Sequence, residues 1–365
     1  MSEARSGLPQ RRPRLLLHFA LMLATFLTTT ATGALWMHGM RDIAPISDGL
    51  SYSVPLMAIL LCHELGHYVA ARIHGVEASL PYFIPFFPGL GLGTLGAVIG
   101  MREMTSDRKK LIDIGAAGPL AGLAVAVPVL LYGLAQSKVG PIQPGGEQEG
   151  NSVLYALLKY AVKGAWLPDG KQDVFLSPAA HAGWAGLLVT MINLLPIGQL
   201  DGGHIATAYF GNRYNRFALQ VHRWLPLVSL AVVGWTYHVV RGEAQAIGAV
   251  WNGKLGLEIA AGAAAPWLIW YALVAVLRRV SGGRNHPAVD DERPLPSSRR
   301  ALFWVMVVVF LGVLMPAPSR PTYMPDTTAE ATASGDQLGT LGGLPGPPAT
   351  DSARQAELRP RDPGP

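Results

Sequence analysis

Charge is scarce in this 365-residue chain, with only 15% of its residues Asp, Glu, Lys or Arg. A soluble domain usually carries about 25%. Half of the residues are hydrophobic and the mean hydropathy is positive. The composition therefore excludes an ordinary soluble domain and predicts an all-α polytopic protein in a lipid bilayer. Cysteine is nearly absent: Cys62 stands alone, which excludes an internal disulfide and any Cys-rich zinc module. The net charge of +5 sits in loops between apolar runs, so it is not the footprint of a nucleic-acid-binding surface. No internal repeat is present.

What is there is a series of apolar runs. They cover 15–37, about 52–73, 111–136, about 179–200, about 222–240, about 256–277 and 301–317, which predicts about seven transmembrane helices. The first run follows Arg5, Arg11, Arg12 and Arg14 and could be a cleaved signal peptide. A retained span is expected, because the run continues through Leu35, Trp36 and Met37. Residues 80–101 are apolar but broken by Pro81, Pro85, Pro88 and a series of glycines. Such a stretch is a poor helix and reads as a re-entrant or β-hairpin segment, whose edge could hold an extended strand. Within the polar segment 137–178, the pattern of Leu154, Leu157, Leu158, Ala161 and Val162 with Lys159 and Lys163 suits a helix lying on the membrane surface. The organisation expected is a cytoplasmic N-terminus over 1–14, a multi-span domain over 15–317 with its core at about 50–210, and a disordered C-terminal tail over 318–365. With seven spans and the N-terminus inside, 18 Lys and Arg fall on the cytoplasmic side and 11 on the other, as the positive-inside rule requires.

The chemistry centres on Leu61-Cys62-His63-Glu64-Leu65-Gly66-His67-Tyr68. On a helix, His63 and His67 share a face and aim two imidazoles at one point. Two such nitrogens at roughly 2.0–2.1 Å make half of a zinc site. Glu64 stands beside that point, placed to take a proton from water whose pKa the metal lowers to about 7. Ionisable residues are costly at membrane depth and usually functional there. Cys62 points about 100° away around the helix and reads as a small buried residue. A catalytic zinc needs a third protein ligand, and Asp201 is the best candidate. It ends an apolar run on the same face of the membrane as His67 in the expected topology, after Pro196 and Gly198 and before Gly202 and Gly203.

Three motifs in order resemble the site-2 protease family: His63-Glu64-Leu65-Gly66-His67, Gly115-Ala116-Ala117-Gly118-Pro119, and Asn193-Leu194-Leu195-Pro196-Ile197-Gly198-Gln199-Leu200-Asp201-Gly202-Gly203. The resemblance spans about 50–210. It implies a membrane-embedded zinc metalloendopeptidase that cleaves the transmembrane segments of single-span membrane proteins. Zn2+ would be held by His63, His67 and Asp201, with Glu64 the catalytic base. Asn193 would hold substrate or stabilise the oxyanion, or else make an interhelical hydrogen bond. Many members carry a PDZ domain of some ninety residues, and 137–178 is too short for one. The compact members of bacteria, archaea and plastids are the better match, so a bacterial inner membrane with the N-terminus cytoplasmic is the expected location.

Two other readings compete. A peptidase resembling the CAAX-processing type would take a later Glu as third ligand. A non-catalytic scaffold or transporter would need a closed site of four protein ligands. Among the remaining polar residues, His204 reads as either a support for Asp201 or a loop histidine, and His74, His181 and His222 read as interfacial. Arg102, Glu103 and the run Asp107-Arg108-Lys109-Lys110 read as a solvated loop.

Overall fold

A computed structural model describes residues 14–38, 46–89, 91–101, 105–280, 286–290 and 294–324. Residues 1–323 cluster as one unit. The expectations for 1–13, for Arg102 and Glu103, and for the tail beyond 324 lie outside the described residues. The tail was expected from 318, but residues 319–321 form a strand paired with residues 147–149.

The two histidines lie on α2 (Ile46–Ile73), which packs against α1 (Leu15–His38), α3 (Arg108–Gln136) and α5 (Pro178–Asn193). Between α2 and α3, residues 82–85 and 94–98 pair as the antiparallel strands β1 (Tyr82–Pro85) and β2 (Thr94–Val98). The 80–101 stretch is thus a β-hairpin, as its prolines and glycines suggest. Its turn is tied to the helices: Thr28 donates to the Gly93 carbonyl at 2.8 Å and Tyr52 to that of Leu92 at 3.1 Å. Gly93 has φ +75°, and a Cβ there would meet the Thr28 carbonyl at 2.9 Å, so only glycine fits.

In α3, Asp107 caps the N-terminus, accepting from the Lys109 amide at 2.8 Å. Arg108–Lys110 are therefore the first helical turn rather than a loop. The core joins Leu56, Ile59 and Leu60 of α2 to Ala126, Leu130 and Leu134 of α3 and to Trp184, Leu187 and Met191 of α5. Lipid supplies no hydrophobic drive between helices, so close approach through small residues matters more. Gly183 shows this: a Cβ there would stand 2.7 Å from the Leu130 Cα.

Past α5 the chain turns through 194–200 into α6 (Asp201–Phe210), a single 3-10 turn (Gly211–Arg213) and α7 (Tyr214–Ala246). α7 pairs with α8 (Gly253–Val280), and α9 (Ser297–Val313) packs on α3, α4 (Val153–Lys163), α5 and α6. Five segments among the described residues are long and apolar enough to cross a membrane: Leu15–Trp36, Ile46–Ile73, Arg108–Gln136, Asp201–Ala246 and Gly253–Val276. The count differs from seven because the runs at 179–200 and 301–317 give helices of only 16 and 17 residues. Pro196 and Pro316 follow closely and keep both short.

The segment 137–178 forms β3 (Lys138–Pro141), β4 (Glu147–Glu149), α4 and β5 (Gln172–Phe175), with β3 paired to β5 and β4 to β6 (Ser319–Pro321). The expected helix is there as α4, and its faces divide unevenly. Val153, Leu157 and Tyr160 are exposed, but Lys159 is fully buried. Its ammonium lies 3.5 Å from Asp173 and over the Tyr155 ring. Gln148 donates to Asp173 at 2.8 Å, Tyr155 to Glu149 at 3.0 Å, and Arg320 pairs with Glu243. Burial pushes the Lys159 ammonium below its usual range, and burial with the Asp173 charge raises Glu149 to about 7.

Candidate metal centre

His63 and His67 are buried one turn apart on α2, and Asp201 opens α6 after a break at Pro196 to Leu200. The three side chains converge. His63 Nε2 lies 3.1 Å from Asp201 Oδ2, His67 Nε2 lies 3.2 Å from Asp201 Oδ1, and the two Nε2 atoms are 3.1 Å apart. A carbonyl can only accept, so the 2.7 Å contact between His67 Nδ1 and the Ile114 carbonyl makes Nδ1 the donor. The His67 Nε2 lone pair then faces another imidazole nitrogen and a carboxylate. Such a cluster of acceptors suits a cation. Its separations are close to the edge of a tetrahedron whose centre is roughly 2.0–2.1 Å from each corner, about 3.3 Å. A zinc ion therefore fits the donor set. Among the described residues no fourth His, Cys, Asp or Glu completes the group, so the four-ligand structural site and the later Glu of a CAAX-type site are both missing there.

The small residues of α3 make room for this. A Cβ at Gly118 would fall on the His67 ring, and one at Gly122 would meet His63 Nδ1 at 3.2 Å. The Gly115–Pro119 motif thus clears space for the rings as well as for helix contact. The hydrogen bond from His67 to the Ile114 carbonyl is the usual way to fix a ligand's tautomer. α6 is seated just as closely, since Cβ atoms at Gly202 and Gly203 would collide with the carbonyls of Leu194 and Gly198.

Glu64 is buried beside the group, and β2 packs against α2. The hairpin therefore borders the centre. Asn193, the last residue of α5, brings Nδ2 to 3.2 Å from His63 Nε2. All five residues singled out in the sequence meet. Cys62 faces elsewhere, lining an apolar groove with Leu65, Val69 and Ala121.

Several supporting residues were not legible. Arg108 donates to the carbonyls of Ala208 and Tyr209 at 2.7 and 2.8 Å, capping α6 from α3. His204 is helical and buried, 2.9 Å from His286. His222 is also buried rather than interfacial, stacked on Tyr271. His74 bonds Asp113, which pairs bidentately with Arg299. The signals the sequence did carry were His204, nearly one turn past Asp201, and the small residues of the Gly115–Pro119 motif.

Helices long and apolar enough to cross a membrane thus surround a buried two-histidine, one-carboxylate cluster with an adjacent glutamate, the class of site that can hold a metal ion. The Peptidase family M50 model matches residues 51–233, half of the chain, and the chain belongs to that family. It is 30% identical over 285 residues to "Probable zinc metalloprotease EGY1, chloroplastic" of Arabidopsis thaliana, covering 76% of this chain and 45% of that one. It is 35% identical over 175 residues to the protein of the same name from Oryza sativa subsp. japonica, covering 46% and 29%. It is 34% identical over 172 residues to "Probable zinc metalloprotease EGY2, chloroplastic" of Oryza sativa subsp. indica, covering 46% and 30%. The chain thus spans less than half the length of these curated relatives. No solved structure matches.

Proposed function

We propose that this chain is an integral membrane zinc endopeptidase that hydrolyses peptide bonds within the transmembrane segments of single-span membrane proteins. The observation that carries the reading is the convergence of His63, His67 and Asp201 donors within 4.8 Å, with Glu64 buried alongside. His63, His67 and Asp201 would hold zinc, which when bound acts as a Lewis acid toward water and a substrate carbonyl. Glu64 takes the proton from the attacking water as the new C–O bond forms. It returns that proton to the amide nitrogen as the C–N bond breaks, so it ends the cycle ionised. Asn193, an amide donor at the edge of the group, hydrogen-bonds the developing oxyanion.

An amide in a regular helix is hydrogen-bonded and shielded, so substrates must unwind locally and should carry helix-weakening residues. The hairpin borders Glu64, and its strand edge would hold the unwound segment by backbone hydrogen bonds. Seven spans, with α5 and α9 crossing as short helices and the N-terminus cytoplasmic, complete the reading. A bacterial inner membrane is the location it implies, and the cleaved fragment would be released on the cytoplasmic side.

The test is cleavage of a single-span substrate by purified wild type and Glu64→Gln, with zinc content measured on both. Glu64→Gln should keep its zinc and lose at least about 100-fold in rate. Normal cleavage by that variant overturns the mechanism.

A further inference from the structure

Asp201 opens a helix of ten residues that has no side-chain N-cap. What fixes its rotation and depth is therefore a real question. An Asp carboxylate stands about 5 Å from a helix axis, so a 10° turn of α6 moves it by roughly 1 Å. A metal site tolerates about 0.2 Å.

The segment His286–Asp290, between α8 and α9, lies as a strap against α6 and the start of α7, with Val289 packed in one cluster with Ile112 of α3 and Ile205 of α6. Asn212 grips Val289 from both directions, donating to its carbonyl at 3.0 Å and accepting from its amide at 3.1 Å. Asn215 grips His286 in the same way, at 3.3 and 3.2 Å. The Asp290 amide donates to the Ser106 carbonyl at 3.0 Å, just before α3. Each asparagine thus reads a peptide unit as a neighbouring strand would.

The strap reaches α6 itself through His286, which is 1% exposed. The proton positions follow from the partners. The Pro287 carbonyl only accepts, so His286 Nδ1 donates to it at 2.9 Å. His286 Nε2 lies 2.9 Å from His204 Nδ1, and a neutral His286 ring accepts there. The contact orients each ring against the other. His204 lies three residues after Asp201, nearly one turn on. From α3, a Cβ at Gly115 would meet the His204 Cβ at 3.3 Å and the Asp201 carbonyl at 3.4 Å. His204 is therefore held by both α3 and the strap.

We infer that His204 and His286, with Asn212 and Asn215, are positioning residues that hold the Asp201 carboxylate at the metal. This rests on the proposed role of Asp201 as a zinc ligand.

The test uses the full chain purified in detergent. It compares wild type, His286→Ala, His286→Gln, Asn215→Ala and His63→Ala for zinc affinity by chelator competition, for kcat and KM, and for thermal unfolding. His286→Ala should weaken zinc binding about 10- to 100-fold, the usual cost of losing a group that orients a ligand. It should lower kcat while leaving KM and the unfolding temperature near wild type. His286→Gln, whose amide oxygen can accept from His204, should recover most of the loss, and Asn215→Ala should fall between. Wild-type zinc affinity and kcat in His286→Ala overturn the inference, as does a loss that merely tracks unfolding. If wild type binds zinc and His63→Ala does not, the metal reading stands whatever the strap does. If the two bind alike, the metal reading itself fails.

Discussion

Replacing Gly118 by alanine should strip zinc from a protein that still folds. Gly118 faces the His67 ring across the α2–α3 contact, and a Cβ built there lies far inside the 3.0 Å that real Cβ contacts never cross. The ring or the helix must retreat by more than about 1 Å, roughly five times the tolerance of a metal–ligand distance. His67 cannot swing away freely, because its Nδ1 is held at 2.7 Å by the Ile114 carbonyl on the same helix as Gly118. If α3 yields instead, overpacking costs about 1–3 kcal/mol, partly offset by the roughly 1 kcal/mol that alanine gains over glycine in a helix. Zinc affinity should therefore fall by at least about 100-fold, beyond the usual cost of an orienting group, while thermal unfolding shifts little. Gly122→Ala, with His63 Nδ1 at 3.2 Å, should be milder, and Gly234→Ala, which meets nothing within 4 Å, should be silent. Chelator competition and calorimetry on the three purified variants decide it. A Gly118→Ala protein that binds zinc as tightly as wild type refutes the packing argument.

Other outcomes follow from the same geometry. Lys159→Met leaves Asp173 and Glu149 buried without their cation and should cost about 3–5 kcal/mol; adding Asp173→Asn should return part of it, and equal stabilities for single and double variants would count against a buried pair. Glu149 has its carboxyl raised from the ordinary 4.5 to about 7. The folded form thus favours the proton, so its stabilisation is complete below about 4.5 and is lost as pH rises to about 7, by at most about 3 kcal/mol. The difference between wild type and Glu149→Gln in unfolding temperature should show that slope, and a difference of opposite sign would refute it. Asp201→Asn keeps the size of the ligand but removes its charge, and should weaken zinc at least about 10-fold by direct titration. A reporter fused after Arg278 should remain on the cytoplasmic side, and its appearance outside would overturn the proposed topology.

What the sequence by itself determined was local. Four-residue spacing on a helix fixes that His63 and His67 share a face, whatever surrounds them. Prolines and glycines over 80–101 deny that stretch a helix, and the hairpin follows. Scarce charge and long apolar runs specify membrane-type helices. Even the pairing of Asp201 with the histidines was within reach, because a carboxylate beside a helix break at membrane depth has few bland explanations. Only the tertiary structure decided which face of each element is covered. Lys159 lies in a pattern that suits a surface helix, yet strands at 147–149, 172–175 and 319–321 gather around it, and helical periodicity says nothing about such distant partners. Gly118 looks like any small contact residue until the His67 ring is found against it. His286 and Asn215 are 71 residues apart, and no local pattern foretells a contact that depends on how α7 and α8 return the chain to α6.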